Sequence, residues 1–406
     1  MLRANRLHAR STYARDVNTT TMRVGIIGFG RAGHAHFAYF SCVDGCRVTK
    51  VLVRSPEGRA RVAATSPGLV ACSDPAEFWK DLDAVSVCSP DSTHAEYVAE
   101  ALERGLDVLC EKPLSDSIEG LRRIKAAERA AGRVVAVMHQ MRFVPVHQRI
   151  KACLEARALG TVSYMQGLYV HDLTELPRDD WRLSEGATPL VYAGCHFVDL
   201  LRWFAQEEVV EVYMAANHRA WPDYPETDLN LVTLRFASGV IGEVLVAFGA
   251  ACPQDHSVKI YGGAGAVENN VLYRKGGVWG RTLHSPAVLH RKLLRNPVRS
   301  LGQDLAWQLR GNLPSYAYAK LFELLRPLIR GGAWQYGVRF YPVRLYEHFL
   351  ASVEAVEDFV DAVRRARPPR CGADEGAKTV LACLAGVASH RENIPIRVPS
   401  LEEALA

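Results

Sequence analysis

The 406-residue sequence has no long uninterrupted run of apolar residues, although 49% of its residues are hydrophobic. A membrane-spanning helix needs about 20 mostly apolar residues, because the bilayer offers no water to its backbone. We therefore expect a soluble chain that does not cross a membrane. The length exceeds one ordinary domain of about 100–200 residues, which predicts two domains with a cleft between them.

Patterns typical of metal sites and disulfide frameworks are also missing. The ten cysteines are scattered, with no CxxC pair and no histidine at a zinc-ligand spacing. This pattern predicts free thiols in a reducing cytoplasm and no bound metal. The sequence contains no internal repeat and no low-complexity tract.

Positive charge is concentrated in two segments. The whole chain carries +5, residues 1–21 carry +3 and residues 283–345 carry +8, so the remaining residues carry −6. A nucleic-acid-binding protein needs a basic face on its folded core, and we therefore expect no nucleic-acid partner. Because Met22 directly precedes the first predicted strand, residues 1–21 are interpreted as a disordered extension or an upstream start, in preference to a transit peptide.

A glycine turn separates the first predicted strand, residues 23–27, from a helical stretch that runs to Phe40. The turn consists of three glycines and the residues between them: Gly28, Phe29, Gly30, Arg31, Ala32 and Gly33. Backbone N–H groups at a helix N-terminus attract a pyrophosphate, and glycine allows its close approach. The turn therefore predicts a dinucleotide-binding Rossmann domain, which we place at residues 22–141.

The end of the second predicted strand bears on the choice of dinucleotide. Val53, Arg54 and Ser55 stand about 20 residues beyond Gly33, where the residue that recognises the ribose belongs. This position has no Asp or Glu for a free 2′-hydroxyl, whereas an arginine and a hydroxyl suit a 2′-phosphate. We therefore expect NADP in preference to NAD. The alternative is that Arg54 only caps a surface loop.

Alternating strands and helices continue to about residue 140, and a different pattern follows. The first part predicts a doubly wound parallel sheet, with strands at 84–88, 108–110 and 134–138 and helices at 96–104 and 118–131. Long alternating segments then predict a mostly antiparallel sheet, at 162–170, 209–216, 229–236, 240–248 and 256–261. The predicted fold class is α/β, with an N-terminal Rossmann domain and a C-terminal α+β substrate-binding domain at 142–406. A basic helical insertion at 283–345 interrupts the second domain.

Three motifs lie close together in the first domain: Ser89-Pro90-Asp91-Ser92-Thr93-His94, Ala101–Gly105, and Glu111-Lys112-Pro113 with the strand before it. With the glycine turn they make residues 23–143 resemble the glucose-fructose oxidoreductase, inositol dehydrogenase and rhizopine-catabolism (Gfo/Idh/MocA) family. The likeness returns at 180–182, 194–199 and 367–390, and only 283–345 has no counterpart. It implies an NAD(P)-dependent oxidoreductase that acts on a CH–OH or C=O group of a sugar, sugar derivative or cyclitol.

The resemblance also implies roles for particular residues. Lys112 matches the family's catalytic lysine, and it follows a parallel strand at the sheet edge where ligands bind. Its ammonium would stabilise a developing alkoxide. Glu111 resembles the cofactor-side acid, and the same motifs place Ser89, Pro90 and His94 at the cofactor.

A helix predicted to begin at Thr188 and Pro189 should present Tyr192, His196 and Asp199 on one face. His196 matches the family's catalytic histidine, whose ordinary pKa near 6.5 suits proton exchange. Many relatives have an aspartate in place of Tyr192. Tyr192 and His196 would then supply a proton to a carbonyl, or Tyr192 only packs beside the cleft.

Other residues of this region receive secondary interpretations. Asp199 is expected to be structural, and Gly194 is expected to permit close approach of nicotinamide or substrate. Arg142, Trp181 and Arg182 resemble substrate-cleft positions, although both arginines could instead link the domains by salt bridges.

Residues 283–345 leave three interpretations open. They are helices that pack on the enzyme's own sheet or on a sister subunit of a homodimer or homotetramer, a helix lying on an anionic membrane, or a basic lid over an anionic sugar. Two functions also compete with net oxidoreduction. One is NAD-dependent glycoside hydrolysis, and the other is a catalytically inactive ligand-binding relative.

Overall fold

The computed structural model describes residues 21–66, 68–174, 176, 180–252, 254–276, 280–283 and 341–406. The predicted extension at 1–21 lies outside the described residues except for Thr21. The predicted insertion at 283–345 also lies outside them, except for its two ends.

The first domain contains a six-stranded parallel sheet. Its strands are β1 (Met22–Ile27), β2 (Cys46–Leu52), β3 (Val70–Cys72), β4 (Ala84–Val87), β5 (Asp107–Cys110) and β6 (Val135–Val137). The spatial order is β3-β2-β1-β4-β5-β6, which is the doubly wound order of a Rossmann domain. The predicted parallel sheet is confirmed. The carboxyl ends of β1, β4 and β5 lie side by side, so the loops after these strands share one edge of the sheet.

Five helices connect these strands: α1 (Arg31–Phe40), α2 (Pro56–Thr65), α3 (Pro75–Phe78), α4 (His94–Glu103) and α5 (Ile118–Ala131). Local capping sets several of their ends. Ser117 caps α5 by accepting a bond from the Gly120 N–H, and α5 ends at Gly132 in the left-handed conformation. The first turn of α1 has no side-chain cap.

The second sheet has nine strands and is antiparallel except for the β7–β10 pair. Its strands are β7 (Val162–Val170), β8 (Val209–Asn217), β9 (Leu229–Phe236), β10 (Ile241–Ala247), β11 (Val258–Gly262), β12 (Gly265–Glu268), β13 (Val271–Arg274), β14 (Arg281–Thr282) and β15 (Ile396–Arg397). The order is β14-β13-β12-β11-β7-β10-β9-β8-β15. This confirms the predicted mostly antiparallel sheet.

The remaining helices of the described ranges are α6 (Pro145–Glu155), α7 (Trp181–Ser184), α8 (Cys195–Ala205), α9 (Tyr341–Arg365), α10 (Ala373–Glu392) and α11 (Leu401–Leu405). Helix α8 packs its apolar face on the second sheet as predicted, with Phe197, Leu200, Leu201 and Phe204 all buried. Helix α10 contacts β6 of the first sheet and β8 of the second, so the C-terminal segment links the two domains. No helix in the described ranges is long and apolar enough to span a membrane.

The start of the α8 region differs from the prediction. The sequence favoured a regular helix capped by Thr188, but Leu190–Gly194 form a π-helical turn that leads into α8. A Cβ on Gly194 would lie 2.7 Å from a Leu190 methyl carbon and 2.9 Å from a Val246 methyl carbon. Gly194 therefore permits the close approach of β10, not of a ligand, and the earlier interpretation of Gly194 is wrong.

Candidate active site

The glycine turn forms a crevice at the edge of the parallel sheet. Gly28 has φ +84°, and a Cβ there would lie 2.9 Å from the Cys88 carbonyl oxygen, whereas a Cβ on Gly33 would collide with the Gly28 carbonyl oxygen. A Cβ on Gly30 would meet no atom of the described residues within 4 Å. Helix α1 begins directly after Gly30, whose lack of a side chain leaves room in front of the helix N-terminus. This cradle fits a dinucleotide pyrophosphate.

The loop after β4 forms the opposite wall of the crevice. The His94 ring is buried, with Nδ1 2.7 Å from the Pro113 carbonyl oxygen and Nε2 3.0 Å from the Ser89 carbonyl oxygen. Thr93 donates a hydrogen bond to Ser89 Oγ over 2.7 Å. His94 therefore lies behind Ser89 and Pro90 and holds their loop against the loop after β5.

Arg54 and Ser55, the two residues expected to determine the preference for NADP, lie beyond the end of β2. Ser55 Oγ accepts a hydrogen bond from the Gly58 N–H and caps α2. Arg54 is exposed, and its guanidinium donates to the Tyr97 hydroxyl over 2.8 Å. Phe29, by contrast, is buried in the core, and its carbonyl oxygen accepts a bond from Arg61.

A buried ion pair lies directly beneath this crevice. His36 Nε2 on α1 is 2.9 Å from Glu111 Oε1, and His36 Nδ1 is 2.7 Å from Ser86 Oγ. Burial alone would raise the pKa of Glu111. The hydrogen bond and charge of His36, together with the charge of Lys112, outweigh burial and lower this pKa to about 2. Burial lowers the pKa of His36, but Cys88 and Glu111 raise it to about 10. The pair is therefore charged at neutral pH. His36 was not predicted, although its position three residues after Gly33 was available as a signal.

Lys112 connects this cofactor-side pair to the second domain. Its backbone N–H donates to Glu111 Oε2 over 3.1 Å, and its Nζ donates to the Tyr192 carbonyl oxygen over 2.8 Å. The Nζ atom also lies 4.2 Å from the centre of the Tyr192 ring. Burial lowers the pKa of Lys112, but Tyr192, Cys195 and Asp91 raise it by more. The side chain is therefore an ammonium at neutral pH.

His196 is buried on α8 in an environment that keeps it neutral. Its ring stacks parallel to Tyr169, with centroids 6.2 Å apart, and meets the edge of His139 at 6.4 Å. Burial lowers the pKa of His196 well below its ordinary value, and Lys112 and His139 lower it further. The ammonium of Lys112 therefore helps to keep His196 in its neutral form.

Tyr192 is fixed from two directions. Its hydroxyl accepts a hydrogen bond from Arg182 over 2.9 Å, and its ring meets the edges of Trp181 and Phe248 at 5.5 and 6.3 Å. Arg182 is also paired with Asp180 through its Nε, over 2.6 Å, and through a second nitrogen. The structure therefore brings together Trp181, Arg182 and Tyr192, which the sequence assigned to one cleft.

Arg142 lies apart from these residues in a buried ion-pair network. Its guanidinium donates two hydrogen bonds to Asp199, over 2.8 and 2.7 Å, and one to Glu375 over 2.9 Å. The network joins the turn at 140–143 to α8 and α10. Burial raises the pKa of Asp199, but Arg142 and His139 lower it below the ordinary value. The geometry matches the structural role expected of Asp199 and the domain-linking alternative given for Arg142.

Sequence reasoning missed several residues near His196. Tyr169, the last residue but one of β7, lies 4.5 Å, ring to ring, from His256, whose ring in turn lies 6.1 Å from His348 on α9. These residues are far apart in the chain, and no local motif joins them. His139 carried a usable signal, because it follows β6 at the sheet edge that also presents Lys112. Within the described ranges, no group of three or more His, Cys, Asp or Glu side chains could hold a metal ion.

Comparisons with known proteins agree with this geometry. Residues 22–139 match a family model described as an oxidoreductase family with an NAD-binding Rossmann fold, and residues 147–268 match the GFO/IDH/MocA C-terminal domain. An inositol 2-dehydrogenase of Saccharopolyspora erythraea is 30% identical over 66% of this chain and 75% of its own length. The myo-inositol 2-dehydrogenase of Thermotoga maritima is 27% identical over 61% of this chain and 74% of its own length. A solved levoglucosan dehydrogenase with NADH and levoglucosan superposes with a TM-score of 0.73 at 20% identity, covering 93% of this chain and 100% of that one.

Proposed function

Because the chain belongs to the Gfo/Idh/MocA family of NAD-binding oxidoreductases, we propose that it transfers a hydride between nicotinamide and a ring carbon of a cyclitol or sugar. The observation that carries this proposal is the position of Lys112. Lys112 directly follows Glu111, the partner of His36 on α1, and its Nζ donates to the Tyr192 carbonyl oxygen over 2.8 Å, while its charge lowers the pKa of His196. A bound dinucleotide supplies the hydride acceptor or donor, and the residues of this chain supply the rest.

Lys112 is proposed to stabilise the reacting oxygen. One of its three N–H bonds is used by the Tyr192 carbonyl oxygen, which leaves donors for an oxygen in the cavity. A fixed ammonium in a partly buried site stabilises a developing alkoxide, because no solvent must reorganise around it. Removal of Lys112 should therefore affect turnover much more than cofactor binding.

His196 is proposed to exchange the proton. A neutral imidazole can accept the hydroxyl proton as the alcohol is oxidised, and the lowered pKa of His196 provides that neutral form at pH 7. Tyr192 accepts a bond from Arg182, so its own O–H is available to donate to a substrate oxygen. We assign Tyr192 to substrate binding and to proton donation in the reductive direction.

The substrate class follows from the cavity walls and the relatives. Trp181 and Tyr192 are partly exposed aromatic residues, and such rings suit the C–H faces of a cyclitol or pyranose ring. Relatives named for inositol and levoglucosan act on rings of this kind. No relative reported above is named for glycoside cleavage or for ligand binding without catalysis.

For the dinucleotide, we infer a preference for NADP over NAD. Arg54 is exposed at the end of β2, and Ser55 begins α2 beside it. A guanidinium there recognises a 2′-phosphate, whereas NAD-specific Rossmann domains usually place an acidic residue at this point.

Assembly and location are also proposed. The nine-stranded sheet exposes several large apolar side chains: Val210, Tyr213, Leu231, Ile241, Tyr261 and Tyr273. Such a surface favours a homodimer or homotetramer, which light scattering would detect. All ten cysteines are free, which fits a reducing cytoplasm.

The experiment that tests the function is a substrate screen with the purified protein. Inositol isomers, glucose and levoglucosan are each mixed with NAD⁺ or NADP⁺, and formation of reduced nicotinamide is followed by its absorbance. We expect turnover of at least one cyclic polyol. Failure of every polyol, and of the corresponding ketones with the reduced cofactors, would contradict the proposal.

A further inference from the structure

A second buried histidine lies behind His196, and the proposed mechanism has not used it. His139 is only 1% exposed, and neither of its ring nitrogens has a hydrogen-bond partner among the described residues. A buried polar group without a partner costs about 1–3 kcal/mol, so an imidazole is a costly way to fill an apolar space. The position of His139 therefore calls for a reason other than packing.

His139 stands between the proposed proton acceptor and a fixed carboxylate. Its ring is edge-on to His196, at 6.4 Å between centroids and an angle of 87°, and its Nδ1 lies 3.8 Å from Asp199 Oδ2. His196 Nδ1 is also buried without a partner in the described structure, which leaves Nε2 as the nitrogen for substrate. The two imidazoles and the carboxylate thus lead inward from the cavity.

Asp199 is held firmly as the inner end of this path. Its two oxygens accept hydrogen bonds from Arg142 over 2.8 and 2.7 Å, and Thr379 donates another over 3.2 Å. Its carboxylate cannot turn away from His139 without breaking these bonds. It can therefore stabilise a positive charge that forms on His139.

We propose that His139 is the second histidine of a proton relay that begins at His196. The inference rests on the proposed function. In alcohol oxidation, the substrate hydroxyl proton passes to His196 Nε2 while the Nδ1 proton of His196 passes to His139, which becomes an imidazolium facing Asp199. The substrate O–H and C–H bonds break, the C=O bond forms, and the hydride leaves to the oxidised nicotinamide. One bridging water, or a small rotation of either ring, closes the gap between the two imidazoles.

The charges around His139 suit a transient proton carrier. The pKa of His139 is lowered to about 4, mainly by burial. The Asp199 carboxylate raises this pKa, whereas the positive charges of Arg142, Lys112 and Arg202 lower it. His139 is therefore neutral at rest, and it returns its proton readily. In the reductive direction each transfer runs in reverse.

The test compares His139→Phe with His147→Phe. Phenylalanine keeps an aromatic ring but has no ring nitrogen, so a packing role predicts wild-type turnover for His139→Phe. The relay predicts that kcat falls about 10–100-fold, with KM and the cofactor dissociation constant within about 3-fold. His147 is the matched control, since it is also buried and edge-on to an aromatic ring, that of Phe204. His147→Phe should keep kcat within about 3-fold.

A second readout does not need turnover. In ¹⁵N spectra of histidine-labelled protein, with the His196 signals identified from a His196→Gln sample, the relay places the proton on Nδ1, directed at His139. His139→Phe should shift this proton to Nε2, whereas His147→Phe should not. An unchanged His196 tautomer in His139→Phe would overturn the relay even if no substrate were found. An inactive wild-type protein with the expected tautomer shift would contradict the proposed function alone.

Discussion

The two sides of the cleft handle charge in opposite ways. On the cofactor side, Glu111 and His36 are a buried ion pair whose pKa values have moved apart, to about 2 and about 10. On the substrate side, His196 and His139 both have pKa values below the ordinary value, mainly because they are buried. The first arrangement fixes structure over a wide pH range, and the second keeps proton acceptors neutral. Lys112 contacts both sides.

Replacement of His196 should have the largest effect of the four variants that separate the two sides. His196→Asn keeps a polar side chain but cannot accept the substrate proton, so kcat is expected to fall about 10²–10⁴-fold. The cofactor dissociation constant, measured by quenching of protein fluorescence, should stay within about 3-fold, because His196 lies on the substrate side. His218→Asn is the control, since His218 is exposed and its Nε2 contacts the Trp221 carbonyl oxygen over 2.8 Å. A His196→Asn variant with wild-type kcat would remove His196 from the mechanism.

Gly30 tests the cofactor side without disturbing the fold. A Cβ on Gly30 meets no atom within 4 Å in the part of the chain that the structure describes, but it would project into the proposed pyrophosphate cradle. Gly30→Ala should therefore raise the cofactor dissociation constant by about 10-fold or more and leave the thermal unfolding midpoint within about 1 °C. Gly68→Ala is the matched control, because a Cβ there also meets none of the described residues within 4 Å. An unchanged cofactor dissociation constant in Gly30→Ala would show that the pyrophosphate does not bind next to Gly30.

The Glu111–His36 pair predicts a particular pH dependence of stability. The lowered pKa of Glu111 means that its contribution is present above about pH 4.5 and is lost as the pH falls toward 2. The raised pKa of His36 means that its contribution is present below about pH 6.5 and is lost as the pH rises through 10. The pair should stabilise the fold most between these limits.

Glu111→Gln should therefore lower the free energy of unfolding by about 3 kcal/mol at pH 5.5, because it leaves a buried imidazolium without its partner. The difference from wild type, measured by urea denaturation, should shrink as the pH approaches 10. Glu100→Gln breaks an exposed pair with Arg104 and should cost less than about 1 kcal/mol. Equal losses for the two variants at pH 5.5 would show that the Glu111 pair adds no special stability.

The choice of dinucleotide should show the smallest effect. Arg54→Asp is expected to shift the ratio of kcat/KM for NADP to that for NAD by about 10-fold toward NAD, because a carboxylate repels the 2′-phosphate and accepts a bond from a 2′-hydroxyl. Arg59→Asp, in helix α2, is the control. It should leave the ratio unchanged, since the guanidinium of Arg59 donates to Ser73. An unaltered ratio in Arg54→Asp would remove the basis for the NADP preference.

The cofactor side was predictable because its signals are contiguous in the chain. The strand before Gly28, the glycine turn and Glu111-Lys112-Pro113 each combine local structure and chemistry within a few residues. The predicted strands at 23–27 and 108–110 lie within one residue of β1 and β5. The contact between His36 and Glu111 was not predicted, because it joins two distant segments, α1 and the end of β5.

The substrate side was less predictable because tertiary packing builds it. In the π-helical turn before α8, Gly194 lies close to Leu190 and to Val246 of β10, and no local propensity marks such a turn. Tyr169, His139 and His256 meet near His196 from three separate segments. The sequence could therefore predict Tyr192 and His196 on one element, but not the rings that enclose them.

The most direct test of the account is turnover by Lys112→Ala, since Lys112 joins the cofactor side to the substrate side. With a polyol found in the substrate screen, kcat should fall at least about 10³-fold while the cofactor dissociation constant stays within about 3-fold. Lys125→Ala, which removes a largely buried lysine that pairs with Glu128 and Asp374, is the control and should retain wild-type kcat. Wild-type turnover by Lys112→Ala would contradict the account.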